Sequence, residues 1–537
     1  MRIADFSLFH SCEIRCTVKS GFNCGAMETV DVVVVGSGIG GLCCAALLAR
    51  YGFQVVVCES HSIPGGAAHA FERQGFHFDS GPSLYSGLSY TPSANPLRQV
   101  LDAIAEDSSW LTYDAWGCFL PEGYFRAAVG AEAFNQVLHQ WRGAEAVAEW
   151  QQLQRVMDPL KAASVAIPPI ALRSDWGILR TLAPFLPTVL QQTGTMLQLS
   201  RSFSQLLEGV IHDPFIRNWL DLLCFMLSGL PANGTLAAEM AFMFADWYRP
   251  NVLLDYPKGG SGALIGALVR GLERYGGRLR LNATVQQVLV ERQQAVGVQL
   301  KNGERIEARH AVVSNASGWD TLKLLPDTVR LPALQKRQSL PACPSFMHLH
   351  LGIDATGLPS DLECHYLIVN AWEQGVDAPQ NVVAVSIPSV LDSSLAPPGK
   401  HGIHAYTPAT EPYDLWAGIS RSSDRYQQLK AERAQVLWQG LERIIPDLRD
   451  RCELTLVGTP LTHERFLRRH RGSYGPGIPA GQGLFPGCKT PLKGLLCCGD
   501  STFPGIGVPA VAASGMIAAN TLASVDQHRA LINEVGG

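Results

Sequence analysis

The chain contains 537 residues, of which 47% are hydrophobic and 17% are charged. A typical soluble domain has about 25% charged residues, so this chain is poor in charge. The composition excludes a disordered chain, and 43 basic against 47 acidic residues (net charge -4) argue against a nucleic-acid partner. We expect two or more domains with a large core, or a protein that handles lipid.

Two features of the chain concern processing and compartment. The first 26 residues mix acidic and basic side chains and contain no apolar stretch of signal-peptide length. Because Met27 stands just before the first predicted strand, residues 1–27 are either a short leader or the result of a mis-assigned start. The 14 cysteines include no Cys-x-x-Cys pair, which predicts buried, reduced thiols and no zinc site.

The first predicted elements form a βαβ unit. Residues 29–35 are a β-branched run that predicts a buried strand, residues 40–51 predict a helix that Gly52 ends, and residues 54–59 predict a second strand. The turn between the first strand and the helix has the pattern G-x-G-x-x-G: Gly36, Ser37, Gly38, Ile39, Gly40 and Gly41. Its glycines allow a tight turn, a close pyrophosphate and close helix packing, and Glu59 can accept hydrogen bonds from ribose hydroxyls. The unit therefore predicts a dinucleotide-binding fold.

The rest of the chain alternates helical and strand-rich regions. Residues 90–250 predict long amphipathic helices, and residues 424–445 predict one long polar helix. Short strands are predicted at 278–281, 285–291, 295–300, 311–315, 345–352, 382–387 and 494–498, with a hairpin turn at 301–304. We therefore predict an α/β protein in which three segments build a Rossmann-like domain and an α+β domain is inserted between them.

Three windows of low charge could be mistaken for membrane spans. Windows 32–49 and 501–525 contain Gly-rich turns, so we assign both to the nucleotide-binding fold. Window 181–200 contains Pro184, Pro187 and several Gln, which predicts an interfacial or lid segment and no transmembrane helix.

The ends of the chain favour FAD over NAD as the dinucleotide. Gly65 and Gly66 follow Glu59 closely, and near the C-terminus Gly499 and Asp500 precede a Pro/Gly loop and a helix that starts near Val508. Asp500 can accept a hydrogen bond from a ribityl hydroxyl. The N-terminus of the helix can stabilise negative charge on the pyrimidine edge of a reduced flavin.

With these motifs the sequence resembles the FAD flavoprotein family of phytoene desaturases and carotenoid (prolycopene) isomerases, within the wider amine-oxidase-like group. The resemblance spans residues 31–520 and is closest to isomerase-like members, which share YPKGG and the GDS-x-FPG-x-GV loop. Ala67 and Phe503 stand where bacterial-type desaturases usually have Arg and often have His. Further shared motifs are PGG…GF-x-FD-x-GPS, SIPSVLDSSLAPPGKHGIH and TPLTHERFLRRHRGSYGP.

The resemblance implies a division of the chain and a set of cofactor-binding residues. A glutathione-reductase-like FAD domain would comprise residues 28–90, 251–330 and 461–525. A substrate- or membrane-facing domain would comprise 91–250 and 331–460, with 526–537 as a tail. The residues implied to contact FAD are Gly36, Ser37, Gly38, Ile39, Gly40, Gly41, Glu59, Gly65, Gly66, Val285, Gly499, Asp500, Gly507 and Val508.

The activity implied by the family is cis-to-trans isomerisation of a carotenoid or similar long apolar isoprenoid with reduced FAD. A desaturase, saturase or other oxidoreductase of the family is the alternative, and an amine oxidase or a non-catalytic polyene-binding protein also remains open. We expect peripheral membrane contact, on the cytoplasmic side or in a plastid of a eukaryote. We expect no nucleic-acid partner and no metal.

Several side chains are candidates for chemistry beside the flavin. His69 and Glu239 are weak catalytic candidates, and His77 lies near the same loop as His69. His348 and His350 alternate on a predicted strand, but no third metal ligand is apparent. The basic cluster Arg465, Arg468, Arg469 and Arg471 is either a solvated helix end or a membrane-surface patch. The Met/Phe stripe at 225–244 is either ordinary core or the lining of an apolar tunnel for a polyene.

Overall fold

The computed structural model describes residues 28–535, so the predictions for residues 1–27 lie outside the described residues. Within this range the chain forms nineteen strands and nineteen α-helices. The strands are β1 Glu28–Val35, β2 Val55–Cys58, β3 Ala70–Arg73, β4 Phe76–Asp79, β5 Tyr85–Ser86, β6 Trp110–Tyr113, β7 Ala115–Leu120, β8 Gly123–Ala128, β9 Leu254–Pro257, β10 Arg278–Arg280, β11 Val285–Glu291, β12 Gln294–Leu300, β13 Arg305–Ser314, β14 Ser345–Asp354, β15 His365–Val369, β16 Val382–Ser386, β17 Lys400–Glu411, β18 Cys452–Gly458 and β19 Leu495–Cys497. The helices are α1 Ile39–Arg50, α2 Pro96–Ala103, α3 Ala133–Arg142, α4 Ala144–Ser164, α5 Ile178–Leu182, α6 Leu186–Gln191, α7 Thr193–Leu199, α8 Phe203–Leu207, α9 Pro214–Ser228, α10 Ala237–Trp247, α11 Ser261–Arg274, α12 Gly318–Lys323, α13 Pro332–Gln335, α14 Asp424–Arg433, α15 Gln435–Glu442, α16 Leu448–Arg451, α17 Pro460–Leu467, α18 Val508–Leu522 and α19 Val525–Val535.

The first sheet is the predicted nucleotide-binding sheet. Its parallel part has the order β10-β2-β1-β13-β19, and the start of β13 continues into the antiparallel strands β12 and β11. The predicted βαβ unit and the hairpin at 301–304 are confirmed. Val32 and Val34 pack on one face with helices α1, α11 and α18, while Val33 and Val35 pack on the other. Burial on both faces explains why β1 is almost entirely β-branched.

The second sheet has the order β18-β14-β17-β16-β15-β7-β8. One face packs Leu349, Leu351 and Ile403 against helices α14 to α16. The opposite face presents aromatic and imidazole rings toward the first half of the molecule. The predicted single helix over 424–445 is wrong, because the helix is interrupted at Ala434 and α15 then packs Leu437 and Leu441 onto the sheet.

A helical layer covers the end of the second sheet that is formed by β7, β8 and β15. Helices α4, α9 and α10 build its core with Trp150 and Phe244, and most of the Met/Phe stripe is buried there. The helical prediction for 90–250 missed the hairpin β7–β8, which joins the second sheet through the parallel pair β15–β7.

The C-terminal residues differ from the predicted tail. Residues 525–535 form α19, because His528 and Leu531 are buried against the preceding structure. Both glycine-containing windows are interrupted by turns, and no helix within residues 28–535 is long and apolar enough to cross a membrane.

The two large sheets draw on separate segments of the chain. The first uses strands within 28–58, 278–314 and 495–497, and the second uses 115–128 and 345–458. We retain the domain limits given above as a proposal supported by this separation. Helix α17 crosses the proposed limit at 460/461 and packs against β14 and β18 of the second sheet.

Candidate functional site

The turn after β1 has no room for side chains at its glycines. A Cβ on Gly41 would lie 2.2 Å from the main-chain oxygen of Gly36, and a Cβ on Gly38 would lie 2.8 Å from Nδ2 of Asn315. Gly36 itself has φ +94°, which disfavours other residues. The glycines therefore let helix α1 and the side chain of Asn315 pack closely against this turn.

Helix α1 begins at this turn with its N–H groups free of side-chain caps. Gly38 is the N-cap, it makes no side-chain cap, and the first helical turn contains no acidic residue. Such a helix start attracts an anion, because its first N–H groups lack partners and the helix dipole is positive there.

Glu59 follows β2 and is held against the turn. Its Oε2 accepts hydrogen bonds from the main-chain N–H and the Oγ–H of Ser37, both at 2.8 Å, and its Oε1 accepts one from N–H of His61 at 2.8 Å. The main-chain oxygen of Glu59 also accepts a hydrogen bond from N–H of Ala283 at 2.7 Å, which brings the start of β11 at Val285 beside it.

The second glycine pair contacts the first turn directly. Gly65 N–H donates to the main-chain oxygen of Ser37 at 3.0 Å, and a Cβ on Gly66 would lie 3.0 Å from Cα of Gly38. Both glycines have positive φ, +115° and +57°, so the chain makes a turn there that side chains would strain.

The C-terminal loop completes one continuous site. A Cβ on Gly499 would lie 2.7 Å from Oδ1 of Asn315, and N–H of Gly499 donates to Oγ of Ser514 in α18 at 2.7 Å. Gly507 has φ +93° and precedes Val508, the first residue of α18, which like α1 has no side-chain cap and no acidic residue in its first turn. Two uncapped helix N-termini therefore open near the same residues.

Asp500 is paired with a residue that the sequence analysis did not assign to the site. Nη1 of Arg469 contacts Oδ2 of Asp500 at 2.5 Å, and the same guanidinium donates to the main-chain oxygens of Ser473 and Tyr474. Arg469 therefore links the main chain at Ser473 and Tyr474 to the C-terminal loop at Asp500.

An apolar cavity of about 100 Å³ lies between the two halves of the molecule. One wall is the segment after Glu59, and the other comes from β14, β18 and α17. Among the described residues its lining includes no Asp, Glu, Lys or Arg. The lining residues are His61, Ile63, His69, Phe71, Ser80, His348, His350, Leu456, Val457, Gly458, Thr462, His463, Phe466 and Leu467.

The family of the chain is shown by its similarity to known proteins. The family model described as flavin containing amine oxidoreductase matches residues 39–523. This protein belongs to that family. It is 33% identical over 93% of its length to the chloroplastic prolycopene isomerase of Daucus carota, covering 81% of that protein. It is 28% identical over 90% of its length to the all-trans-retinol 13,14-reductase of Danio rerio, covering 84% of that protein.

Solved structures agree on the fold of this family member. An oxidoreductase from Methanosarcina mazei superposes with a TM-score of 0.59 at 19% identity, covering 90% of this chain and 99% of that one. A putrescine oxidase bound to putrescine gives 0.58 at 17% identity, covering 93% and 99%. The predicted α/β fold with a Rossmann-like FAD domain is confirmed, and so is the prediction of FAD as cofactor.

The residues of this family member fit such a cofactor. Two helix N-termini without side-chain caps among the described residues suit a pyrophosphate and an electron-rich ring, and the glycines let the turn at Gly38 pack against Asn315 and the turn at Gly66 pack against Gly38. Asn315 is the residue that the sequence analysis missed at the centre of this arrangement. Asn315 could have been found from its position, because it follows the end of a buried strand beside β1, and α/β proteins bind ligands at the ends of such strands.

The candidate catalytic residues of this flavoprotein occupy different places. His69 lies at the cavity and its Nδ1 donates to the main-chain oxygen of Gly66 at 2.8 Å, while burial lowers its pKa to about 4. His77 is exposed on β4 and away from the cavity. Glu239 lies on α10, half-buried, and within residues 28–535 its carboxyl makes neither a hydrogen bond nor an ion pair; burial raises its pKa to about 7.

Two arginines of the basic cluster form ion pairs, and the histidines on β14 line the cavity. Arg469 contacts Asp500 and Arg471 contacts Asp414, so the cluster does not form one surface patch. His348 and His350 both line the cavity, as their alternation on the strand predicts. In the part of the chain that the structure describes, no three His, Cys, Asp or Glu residues are grouped to hold a metal ion.

Proposed function

We propose that this protein is an FAD-dependent carotenoid isomerase that converts cis double bonds of a long apolar polyene to trans. The observation that carries this proposal is the 33% identity with a prolycopene isomerase over 93% of the chain. The retinol reductases are less similar, at 26–28% identity.

We propose the following roles for the chain in holding FAD. The turn and helix start formed by Gly36, Ser37, Gly38, Ile39, Gly40 and Gly41 would hold the pyrophosphate. Glu59 would accept hydrogen bonds from ribose hydroxyls, because its carboxylate still has free lone pairs after the hydrogen bonds from Ser37 and His61. The remaining proposed contacts are Gly65, Gly66, Val285, Gly499, Asp500, Gly507 and Val508.

Bound FAD would supply the redox chemistry that lowers the barrier to rotation about a conjugated double bond. The chain's contribution is to exclude water and orient the polyene. The cavity, which has no Asp, Glu, Lys or Arg in its lining among residues 28–535, supports this role, because a carotenoid offers almost no polar atoms to bind. Asp500 would accept a hydrogen bond from a ribityl hydroxyl, and the guanidinium of Arg469 would balance the negative charge of the Asp500 carboxylate.

The alternative is an oxidoreductase of the same family that adds or removes hydrogen at a carbon–carbon double bond. The similarity to the all-trans-retinol 13,14-reductases supports it. A protein that binds polyenes without converting them is a further alternative, and the complete set of glycine turns argues against it.

The proposal is tested by supplying poly-cis-lycopene in liposomes to the protein with FAD, either oxidised or reduced by dithionite. We expect all-trans product of unchanged mass with reduced FAD and little with oxidised FAD. The protein stripped of FAD is the control. Product of altered mass would favour the oxidoreductase, and unchanged substrate in every arm would refute catalysis on this polyene.

We also propose that the protein contacts a membrane through the segment 176–201. Apolar side chains on and just before helices α5 to α7 are unusually exposed: Trp176 (88%), Leu179 (66%), Leu186 (48%), Leu190 (71%) and Leu197 (70%). The segment contains Arg180 and Arg201 but no acidic residue, which suits an anionic lipid surface. The protein would then act at the cytoplasmic side of a membrane, or in a plastid in a eukaryotic host.

A further inference from the structure

Two exposed apolar side chains lie outside the segment 176–201, on loops near the C-terminus. Leu484 is 69% exposed in the loop 476–487, and Phe503 is 42% exposed in the C-terminal loop 499–507. Together with the exposed side chains of the segment 176–201, they make up more than half of the exposed large apolar side chains among the described residues. Such side chains mark an interaction surface when they lie close together.

The two loops that carry Leu484 and Phe503 are packed against each other. The main-chain N–H of Phe503 donates to the main-chain oxygen of Pro486 at 2.8 Å. A Cβ on Gly505 would lie 2.8 Å from the ring of Phe485. The loop 476–487 therefore covers part of the C-terminal loop, and the two exposed side chains belong to one region of the surface.

The start of the segment 176–201 contacts the end of the loop 476–487. A Cβ on Gly487 would lie 3.5 Å from Oγ of Ser174. The main-chain N–H of Ser174 also donates to Oγ1 of Thr521 in α18, the helix that follows the C-terminal loop, at 2.8 Å. The segment therefore begins beside both loops.

The end of the segment is linked to the same loop through the turn before α10. The main-chain N–H of Ala237 donates to the main-chain oxygen of Arg201 at 2.9 Å. In the same turn, the main-chain oxygen of Gly234 accepts a hydrogen bond from N–H of Ala480 at 2.8 Å. Because the segment and the loop 476–487 are connected at both ends, they border the same region of the surface.

The charges of this region favour a lipid partner. Residues 476–487 and 501–507 contain no charged side chain, and the segment 176–201 contains Arg180 and Arg201 but no acidic residue. Exposed apolar side chains accompanied by basic residues alone are complementary to a bilayer that contains anionic lipids.

We propose that Leu484 and Phe503 enter the same bilayer that the segment 176–201 contacts, so that the two loops and the segment form one membrane-binding surface. The inference rests on the membrane contact proposed above and not on the identity of the polyene. The C-terminal loop also contains Gly507, one of the proposed FAD contacts. The FAD site would therefore open at the membrane face, where an apolar substrate is dissolved.

Co-sedimentation of the FAD-loaded protein with liposomes of phosphatidylcholine and phosphatidylglycerol tests this surface. We expect the double variant Leu484→Asn and Phe503→Asn to bind at least about tenfold more weakly, because each side chain would lose burial in the bilayer. Asn is neutral, so repulsion from the anionic lipid does not contribute. The matched control is Leu415→Asn with Tyr124→Asn, two side chains that are exposed to a similar extent elsewhere.

Phe503 is close to a proposed FAD contact, so Leu484→Asn is also tested alone. We expect this single variant to bind FAD like the wild type and liposomes about fivefold more weakly, because the C-terminal loop is unchanged. Liposome binding of Leu484→Asn equal to that of the wild type would remove Leu484 from the surface and overturn the proposal.

Photo-crosslinking reports contact with lipid directly. Leu484→p-benzoylphenylalanine and Phe503→p-benzoylphenylalanine should each form lipid adducts when the bound protein is illuminated, and mass spectrometry would detect them. The same substitution at Leu415 is the control and should form none. Adducts at position 415 but not at 484 or 503 would place the membrane on another face and overturn the proposal.

The outcomes separate this inference from the proposed function. If Leu190→Asp with Leu197→Asp loses liposome binding, while the double Asn variant binds like its control and position 484 forms no lipid adduct, this inference alone is wrong. If the wild type binds no liposomes, the proposed membrane contact is wrong as well. A protein that binds through these loops but leaves poly-cis-lycopene unchanged would contradict the proposed isomerase and support this inference.

Discussion

At the scale of single residues, the tightest restriction in the nucleotide-binding turn is at Gly41. A Cβ there would lie 2.2 Å from the oxygen of Gly36, a main-chain atom that cannot rotate away. We expect Gly41→Ala to lower the free energy of unfolding by about 1–3 kcal/mol and to weaken FAD binding about tenfold through displacement of the helix start.

Urea unfolding and FAD titration would measure the two effects of Gly41→Ala. Gly194 in α7 is the matched control, because a Cβ there meets no other atom of residues 28–535 within 4 Å and its φ is not positive. Gly194→Ala should stabilise the protein by up to about 1 kcal/mol and leave FAD affinity unchanged. Wild-type behaviour of Gly41→Ala in both assays would contradict the proposed packing.

Glu239 gives a prediction about pH. Burial raises its pKa from 4.5 to about 7, so the folded protein keeps a proton that the unfolded chain has released between these values. The stability that this group contributes is therefore present below pH 4.5 and is lost as pH rises to about 7. We expect Glu239→Gln to be more stable than the wild type at pH 8, by up to about 3 kcal/mol, and equal to it near pH 4.5.

Urea midpoints at pH 5, 6, 7 and 8 would measure the difference between Glu239→Gln and the wild type. The exposed Glu208 offers a control, since Glu208→Gln should run parallel to the wild type. A constant difference across the pH range would mean that Glu239 is not perturbed. Loss of isomerisation in the variant would additionally support its candidacy as a catalytic residue.

The sequence predicted the glycine turns and Glu59 because their constraints are local. Spacing along one strand, turn and helix is enough to place them. It did not predict Asn315, Arg469 or the pair His350–His404, since these meet only through long-range contacts. The pairing of His350 with His404, for example, depends on the register of β14 against β17, which no local pattern specifies.

At the scale of elements, regular helices and strands with strong patterns were predicted well and the short hairpin β7–β8 was not. Residues 115–128 lie within a long helical region. Strand β7 is buried at nearly every position, so it has no alternating pattern, and the alternation in β8 extends over only six residues. The parallel contact of β7 with β15 stabilises the hairpin from a distance of about 250 residues along the chain.

Helices α5 to α7 carry the prediction of membrane contact. We expect the double variant Leu190→Asp and Leu197→Asp to reduce binding to anionic liposomes at least about tenfold, because each Leu would lose a burial energy of about 1.5–3 kcal/mol. Co-sedimentation measures the bound fraction. Leu415→Asp is the control, since Leu415 is also exposed but lies outside this segment. Equal binding of all three proteins would refute contact through residues 176–201.

At the scale of the whole molecule, the buried histidines should dominate the response to acid. The chain has 15 histidines, and burial lowers the pKa of His69, His350 and His528 to about 4 and that of His365 and His463 to about 3. The pKa values of His348 and His404 are lowered as well. In the unfolded chain these groups become protonated below about pH 6.5.

The stability that these seven histidines contribute is present above pH 6.5 and is lost as pH falls toward their folded pKa values. Lowering the pH from 7 to 5.5 should cost about 1 kcal/mol for each, so the total approaches the whole stability of a typical protein. We therefore expect the protein to unfold cooperatively at a pH above 5. Circular dichroism would measure this transition. His365→Gln should lose less stability than the wild type between pH 7 and the midpoint, so that it unfolds at a lower pH once the difference in stability at pH 7 is subtracted. Substitution of the exposed His77 by Gln should leave the midpoint unchanged. A protein that remained folded at pH 4.5 would show that these histidines are less buried than the structure implies.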